Sequence, residues 1–362
     1  MRFKIALVLT VTFLFFTATR FPAAYATSGP WTKYPGNPVL LPTAGSWDAD
    51  YVTTPRVVYG GTTYRMWYQG GVSGVNRIGY ATSSDGINWV KHGIVLSPGP
   101  AGSWDDSSIG LGSVIWNGTA YLMWYTGTNG ITYTGGAIRL AVSKDGANWV
   151  KYSGNPVLIP SELGNDQDYI AAPYVITLKL TYNMWYTGKS AESPNVNRIL
   201  HATSFDGIHW SKWPSPVLSP STNNTAWDSN GVYAPSVIWS GQIFGLWYSG
   251  INQTGLVPRI GYATSPDGGS WTRSANNPIL TPGLPGSWDS RGVEEPSVIK
   301  VGNSYMLFYD GYSAQQGQRI GFALSPQGFT VTEFPRPAVQ LFLALAACST
   351  LYVIYYRRTR RE

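Results

Sequence analysis

A seven-residue pattern, Ser-x-Asp-Gly-x-x-Trp, recurs at Ser83–Trp89, Ser143–Trp149, Ser204–Trp210 and Ser265–Trp271, and a degenerate fifth copy begins Ser325-Pro-Gln-Gly. The leading serines are 60, 61, 61 and 60 residues apart. Units of this length, each holding several short strands, predict the blades of a β-propeller and not a solenoid. The first four copies continue into a Trp-x-Lys/Arg segment that ends in Val-Leu or Ile-Leu, as in Trp149-Val-Lys and Pro156-Val-Leu; the fifth does not. The missing piece stands at the start of the chain, as Trp31-Thr-Lys and Pro38-Val-Leu. An N-terminal strand is therefore expected to close the last blade, which sets the number of blades at five and covers an otherwise open sheet edge.

Each unit reads as four antiparallel strands. In the second, Ser113–Trp116 is a β run, Asn117-Gly118 is a two-residue hairpin turn, Ala120–Tyr125 is the next strand and Ile138–Ser143 the third. Lys144-Asp-Gly-Ala is another turn, and Trp149 opens the fourth strand. The second strands end alike, in Trp67-Tyr68, Trp124-Tyr125, Trp185-Tyr186, Trp247-Tyr248 and Phe308-Tyr309, as suits aromatic packing between blades. The Asp-Gly turns are read as scaffold, with Asp and Ser capping backbone amides and Gly at positive φ.

The two ends differ from the repeats. Residues 1–26 read as a secretory signal, with an apolar stretch from Ile5 to Phe16 and a small-x-small site at Ala24-Tyr-Ala26. Residues 27–332 form the propeller and 333–337 a linker. Residues 338–356 carry no charge and would span about 28 Å as a helix, enough to cross a membrane. The arginine-rich tail 357–362 then predicts a cytoplasmic end, with the repeats on the extracellular face, anchored to the membrane or cell surface. Glu333-Phe-Pro335 ahead of that span also resembles archaeal sorting tails of the Pro-Glu-Phe type, here with Thr332 in place of the leading proline.

The chain's formal charge of +6 sits in its ends. Residues 27–335 hold 17 Lys and Arg against 18 Asp and Glu, so nothing favours nucleic acid as a partner. The one cysteine, Cys348, lies in the apolar tail, so the ectodomain has no disulfide. The three histidines show no metal-ligand spacing, and no metal site is assigned.

Gapless alignment of the repeats separates scaffold from function. Asp48, Asp105, Asp166, Asp228 and Asp289 occupy one column and read as scaffold, because a single central site needs blades that differ. Two residues later stand Asp50, Ser107, Asp168, Asn230 and Arg291. The two residues before the proline position are Thr53-Thr54, Gly110-Leu111, Ala171-Ala172, Tyr233-Ala234 and Glu294-Glu295. The start of the first strand and the end of the second share a rim, so Asp50, Asp168, Arg291, Glu294, Glu295 and Asp310 are expected at one mouth of the channel. Tyr51, Tyr169 and Tyr233 join them. Arg77, Arg198, Arg259 and Arg319, at the starts of third strands, read as supports for loops. Planar aromatics mixed with charged hydrogen-bonding groups suit sugars.

The rows Arg-Ile-Gly-Tyr-Ala-Thr-Ser-x-Asp-Gly-x-x-Trp, Asn-Pro-Val-Leu, Trp-Asp with Pro-Ser-Val-Ile, and Met-Trp-Tyr-x-Gly resemble the five-bladed glycosidase superfamily, which holds glycoside hydrolase families 43, 32 and 130. The resemblance covers roughly residues 29–330. It implies a propeller that binds a glycan or oligosaccharide at acidic residues around the channel mouth. In families 43 and 32 it implies an Asp directly before the first-blade proline and a Glu in Glu-x-Pro. Here Thr54 precedes Pro55, Leu111-Gly112 is the second-blade match, and only Glu294-Glu-Pro296 fits Glu-x-Pro. The resemblance also allows a structural Ca²⁺ in the channel, although no dedicated ligand loop stands in the sequence; no other cofactor is expected.

Glycoside hydrolysis needs two carboxyl groups about the scissile bond. Glu294 is the candidate acid, Asp50 or Asp168 the candidate base, and Asp310 the reserve. Arg291, Glu295, Asp310, Tyr233, Tyr51 and Tyr169 are candidate substrate contacts. Strand alternation predicts that only one of Glu294 and Glu295 faces inward. Two readings remain open: a cell-surface glycoside hydrolase acting as a monomeric ectodomain, or a non-catalytic glycan-binding or cell-envelope propeller. A sialidase-type enzyme fits less well, having six repeats and a longer Asp-turn.

Overall fold

A computed structural model of the chain describes residues 31–129, 136–190 and 196–325. The expected signal, linker, membrane helix and basic tail lie outside the described residues. Among those described, every regular element is a strand, and no helix is long and apolar enough to cross a membrane.

The strands form four-stranded antiparallel units. The first unit is β2 (Tyr51–Tyr59), β3 (Tyr64–Val72), β4 (Val75–Ser83) and β5 (Val90–Leu96). The second is β6 (Ser108–Trp116), β7 (Tyr121–Thr128), β8 (Ala137–Ser143) and β9 (Val150–Lys151). The third is β10 (Tyr169–Leu178), β11 (Thr181–Lys189), β12 (Asn197–Ser204) and β13 (Ser211–Lys212). The fourth is β14 (Gly231–Trp239), β15 (Phe244–Ile251), β16 (Arg259–Ser265) and β17 (Thr272–Arg273), joined to the third by one parallel bridge, Asn197 to Gly231. The fifth takes β18 (Gly292–Val301), β19 (Ser304–Ser313) and β20 (Gly317–Leu324) from the end of the chain, and β1 (Thr32–Lys33) from its start. Thr32 and Lys33 pair with Leu324 and Ala323, as the displaced Trp-x-Lys segment implied. First strands lie against first strands: β2 on β6, β6 on β10, β10 on β14, β14 on β18, and β18 on β2.

The repeated residues make repeated bonds. In each turn the serine hydroxyl and the aspartate cap amides: Gly86 N donates to Ser83 Oγ at 2.9 Å, and Ile87 and Asn88 N donate to Asp85 Oδ1 at 2.8 Å. The second-strand tryptophan of one unit then donates to the turn glycine of the next. Trp67 Nε1 reaches the Gly146 carbonyl at 2.8 Å, Trp124 that of Gly207 at 2.9 Å and Trp185 that of Gly268 at 2.8 Å. Gly146 has φ +81°, and a Cβ on it would lie 2.9 Å from the Trp67 ring, so both the turn and the close approach require glycine.

The constant aspartates are buried and triply used. Asp105 Oδ2 accepts from Tyr125 Oη at 2.9 Å and Lys151 Nζ at 2.6 Å, joining the entry to the first strand to the second and fourth. Asp48 uses Tyr68 and Lys91, Asp166 uses Tyr186 and Lys212, and Asp228 uses Tyr248 and Arg273. Asp289 takes Tyr309 and, from the other end of the chain, Lys33 at 2.5 Å.

Two units depart from the other three, the third carrying Asn165 and Leu200 in place of the Trp and Gly. Gly79, Gly261 and Gly321 leave room for Trp47, Trp227 and Trp288 to lie over Tyr68, Tyr248 and Tyr309. The second unit has Arg139 instead. Its buried guanidinium bonds the carbonyls of Gly127, Ala137 and Trp104, and the Trp104 side chain is left 57% exposed.

Two stability effects follow. Lys33→Met leaves the buried Asp289 without its cation and should cost about 2 kcal/mol, seen as a lower denaturant midpoint. His201 is buried between Trp185 and Trp213, and burial pushes its imidazole down to about 4 from 6.5. The neutral ring is favoured in the fold, so its contribution is complete above pH 6.5 and is lost as pH falls towards 4. His201→Phe, which copies Phe322 of the fifth unit, should reduce the loss of stability between those pH values by on the order of 3 kcal/mol in urea titrations.

Candidate active site

The mouth of the channel is shaped by a bulge in every first strand. Pairing with the second strand slips between Thr53 and Arg56, Leu111 and Ser113, Ala171 and Tyr174, Tyr233 and Ser236, and Glu294 and Ser297. In four units the residue before proline is left-handed: Thr54 at φ +48°, Ala172 at +47°, Ala234 at +50° and Glu295 at +52°. A side chain in that region costs about 1 kcal/mol or more. Bonds between units offset it. Ala172 N donates to Thr126 Oγ1 at 3.2 Å, Ala234 N to Thr187 Oγ1 at 2.9 Å and Glu295 N to Ser249 Oγ at 2.9 Å.

The paired glutamates meet different neighbours: Glu294 Oε2 accepts from Tyr233 Oη of the fourth unit at 2.5 Å, and Glu295 Oε2 lies 3.6 Å from Arg56 Nη2 of the first. Asp310 pairs with Glu294 across β18 and β19 and is fully buried. It holds the position of Thr126, Thr187 and Ser249, which supply the stapling hydroxyls of three other units. Its Oδ2 accepts from Thr53 Oγ1 at 2.7 Å and from Gln318 Nε2 at 3.0 Å; its Oδ1 has no hydrogen-bond partner among the described residues. Gly110 and Ala171 stand in the Glu294 column of the second and third units.

Three carboxyl groups so placed shift one another. Burial, reinforced by the charge of Glu295 and opposed by the Tyr233 hydrogen bond, raises Glu294 to about 7. Burial raises Glu295 also, against the nearby Arg56 guanidinium. Asp310 is held well above the usual carboxylate range, by burial first and the charge of Glu294 second. Tyr312 is pushed up to about 12 by burial and by Glu294.

The other candidates sit around this cluster with partners of their own. Asp50 is exposed and accepts from Ser73 N at 2.8 Å, capping the β3–β4 turn. Asp168 pairs with Lys189 at 3.3 Å. Tyr51 and Tyr169 donate to Asn76 and Asn197, the latter at 3.0 Å, so each ties a first strand to a third. Tyr169 is raised to about 12 by burial and by Asp168, and it also feels the charge of Glu295. Arg291 is exposed at the rim. Among the described residues no three His, Cys, Asp or Glu side chains converge to hold a metal ion.

Arg56 and Gln318 escaped the sequence reasoning. The signal for Arg56 was present in the column after the proline position, which reads Arg56, Ser113, Tyr174, Ser236 and Ser297. Beyond that layer, on the side away from the carboxylates, a cavity of about 280 Å³ is lined by Arg56, Ser113, Tyr174, Ser297 and the strand residues that follow them.

Repeated four-stranded antiparallel sheets of this kind are compatible with propeller neighbours among solved glycosidases. Residues 53–200 match the N-terminal domain of glycosyl hydrolases family 32. An uncharacterized protein of Mycobacterium tuberculosis is 31% identical over 239 residues, which are 64% of this chain and 75% of that one. A β-1,2-mannobiose phosphorylase of a Thermoanaerobacter species is 30% identical over 112 residues, 28% of this chain and 36% of the other. A solved structure from the family 130 mannoside phosphorylases, described as containing glycoside hydrolases that target β-1,2 mannosidic linkages in Candida mannan, is 18% identical. It superposes with a TM-score of 0.63, over 86% of this chain and 98% of that one. The chain belongs to one family with the Mycobacterium tuberculosis protein, and its fold is that of solved glycosidases of families 130 and 43.

The Tyr233 hydroxyl favours the ionised form of Glu294. Tyr233→Phe should therefore raise the Glu294 titration above its value of about 7, as read by carboxyl carbon NMR.

Proposed function

We propose that this protein is a glycan-acting enzyme that hydrolyses glycosidic bonds at the Glu294 mouth. The supporting observation is a pair of carboxyl groups in unlike surroundings: Glu294 beside Tyr233 and near neutral in its titration, and Glu295 beside the Arg56 guanidinium. Opposed environments of this sort assign an acid and a base. Glu294 is the proton donor to the leaving oxygen, and Glu295 is the carboxylate that activates water or attacks the anomeric carbon. Asp310, buried beside Glu294, keeps the proton on that residue by adding negative charge whenever it ionises. Tyr233, Tyr169 and Tyr312 supply planar faces and hydroxyls for the sugar. In this reading the sheets close into five blades, supported by β18 lying on β2 and by Val57 N donating to Ser297 Oγ at 3.1 Å. The reading also keeps the domain outside the cell, on the strength of residues 1–26 and 338–356 in the sequence.

The second reading, a glycan-binding propeller without turnover, is favoured by Thr54 and Leu111, which stand where the family resemblance implies acids. One experiment separates the two. Purified residues 27–335 are assayed on a panel led by β-mannosides, with and without inorganic phosphate. Turnover without phosphate that falls about a hundredfold or more in Glu294→Gln supports hydrolysis. Turnover only with phosphate would make the enzyme a phosphorylase. Binding without turnover, unchanged in Glu294→Gln, would leave the non-catalytic reading.

A further inference from the structure

The layer formed by Arg56, Ser113, Tyr174, Ser236 and Ser297 crosses the channel directly beneath the glutamates. The serines of this layer staple neighbouring sheets. Ser113 Oγ accepts from Val175 N at 2.9 Å, Ser236 Oγ from Val298 N and Ser297 Oγ from Val57 N, both at 3.1 Å. Arg56 breaks the column. It is 2% exposed, and its guanidinium is held by backbone carbonyls from three sheets. Nε donates to Gly112 of the second, while Nη1 donates to Pro55 of its own at 2.8 Å and to Pro296 of the fifth at 3.5 Å.

A strap between sheets would need no more than those bonds. Nη2 is left over, buried and without a hydrogen-bond partner among the described residues, and it faces Glu295 Oε2 at 3.6 Å. A flexible lysine could not reproduce this, because the planar fork fixes the direction of the Nη2 hydrogens once Nε and Nη1 are bound. We infer that Arg56 is a positioning residue for the proposed hydrolysis: anchored by carbonyls of three sheets, it holds Glu295 as the carboxylate at the mouth and leaves the proton of the pair on Glu294. The inference rests on that assignment of roles but can be tested without turnover.

The groups that face Glu295 are Arg56 from β2, Tyr169 from β10, Tyr233 from β14, Glu294 on its own strand and Asp310 from β19. Arg56 is the single cation among them in the described residues, so removing it disfavours the ionised form of Glu295 and moves its titration upwards.

The test is a carboxyl carbon NMR titration of glutamate-labelled protein, with Glu295→Gln to assign the signals. In the native protein Glu295 is expected to titrate below Glu294. Arg56→Met should move the Glu295 titration up by about one pH unit or more, and Arg56→Lys should move it less. In active enzyme the acid limb of kcat/KM should follow the same displacement, with KM little changed. The inference is overturned if Glu295 titrates above Glu294 in the native protein. It is also overturned if Arg56→Met keeps the native melting temperature and leaves the Glu295 titration where it was. Should that variant fail to fold, the order of the two native titrations decides alone. An absence of turnover together with the expected order would overturn the hydrolase reading and leave the Arg56–Glu295 pairing standing.

Discussion

Everything in this molecule hangs on a carboxylate that five sheets bury in the same place. Asp48, Asp105, Asp166, Asp228 and Asp289 enter the fold with almost no exposure, and a buried carboxylate without partners would be strongly destabilising. Each is therefore bonded to a tyrosine on the second strand and a cation on the outermost strand. The triad sets how far the outer edge of a sheet can lie from the entry to its inner edge. It also explains why the chain must return to its beginning: the fifth sheet has the aspartate and the tyrosine, but its lysine is Lys33.

Between sheets the restraint is directional. Tryptophan side chains bond the turn glycines of the next unit at one rim, and hydroxyls accept amides of the left-handed residues at the other. Such ties leave the bulges little freedom and hold their strain in place. The site is made where the pattern is edited. Asp310 replaces a stapling hydroxyl, Arg56 replaces a stapling serine, and Glu294 and Glu295 occupy columns that elsewhere hold Thr, Gly, Leu, Ala or Tyr. A scaffold that is over-determined by repetition can carry these replacements in one sector, where a marginal fold could not bury three carboxyl groups together.

Much of this was legible in the sequence. The strands, the turns and the borrowed strand follow from local chemistry: Asp-Gly turns, aromatic and β-branched runs, and a segment missing from one end and present at the other. Subtracting the constant columns also pointed to Glu294, Glu295, Asp310 and Tyr233. The partners were harder. Asp50 and Asp168 looked equivalent to the glutamates by column, yet one caps a backbone turn and the other pairs with Lys189. Arg56 went unnoticed because it stands outside the acidic motif and reaches it only across the channel.

The sequence by itself determined the period, the strand content of each unit and the place where the two ends of the chain meet, because these depend on neighbours along the chain and on strict repetition. Only the tertiary structure decided which charge meets which. The packing of β14 against β18 brings Tyr233 to Glu294, and that of β2 against β18 carries Arg56 to Glu295. A carboxylate's protonation is set by burial and by charges a few ångströms away, and those neighbours come from strands far apart in the chain.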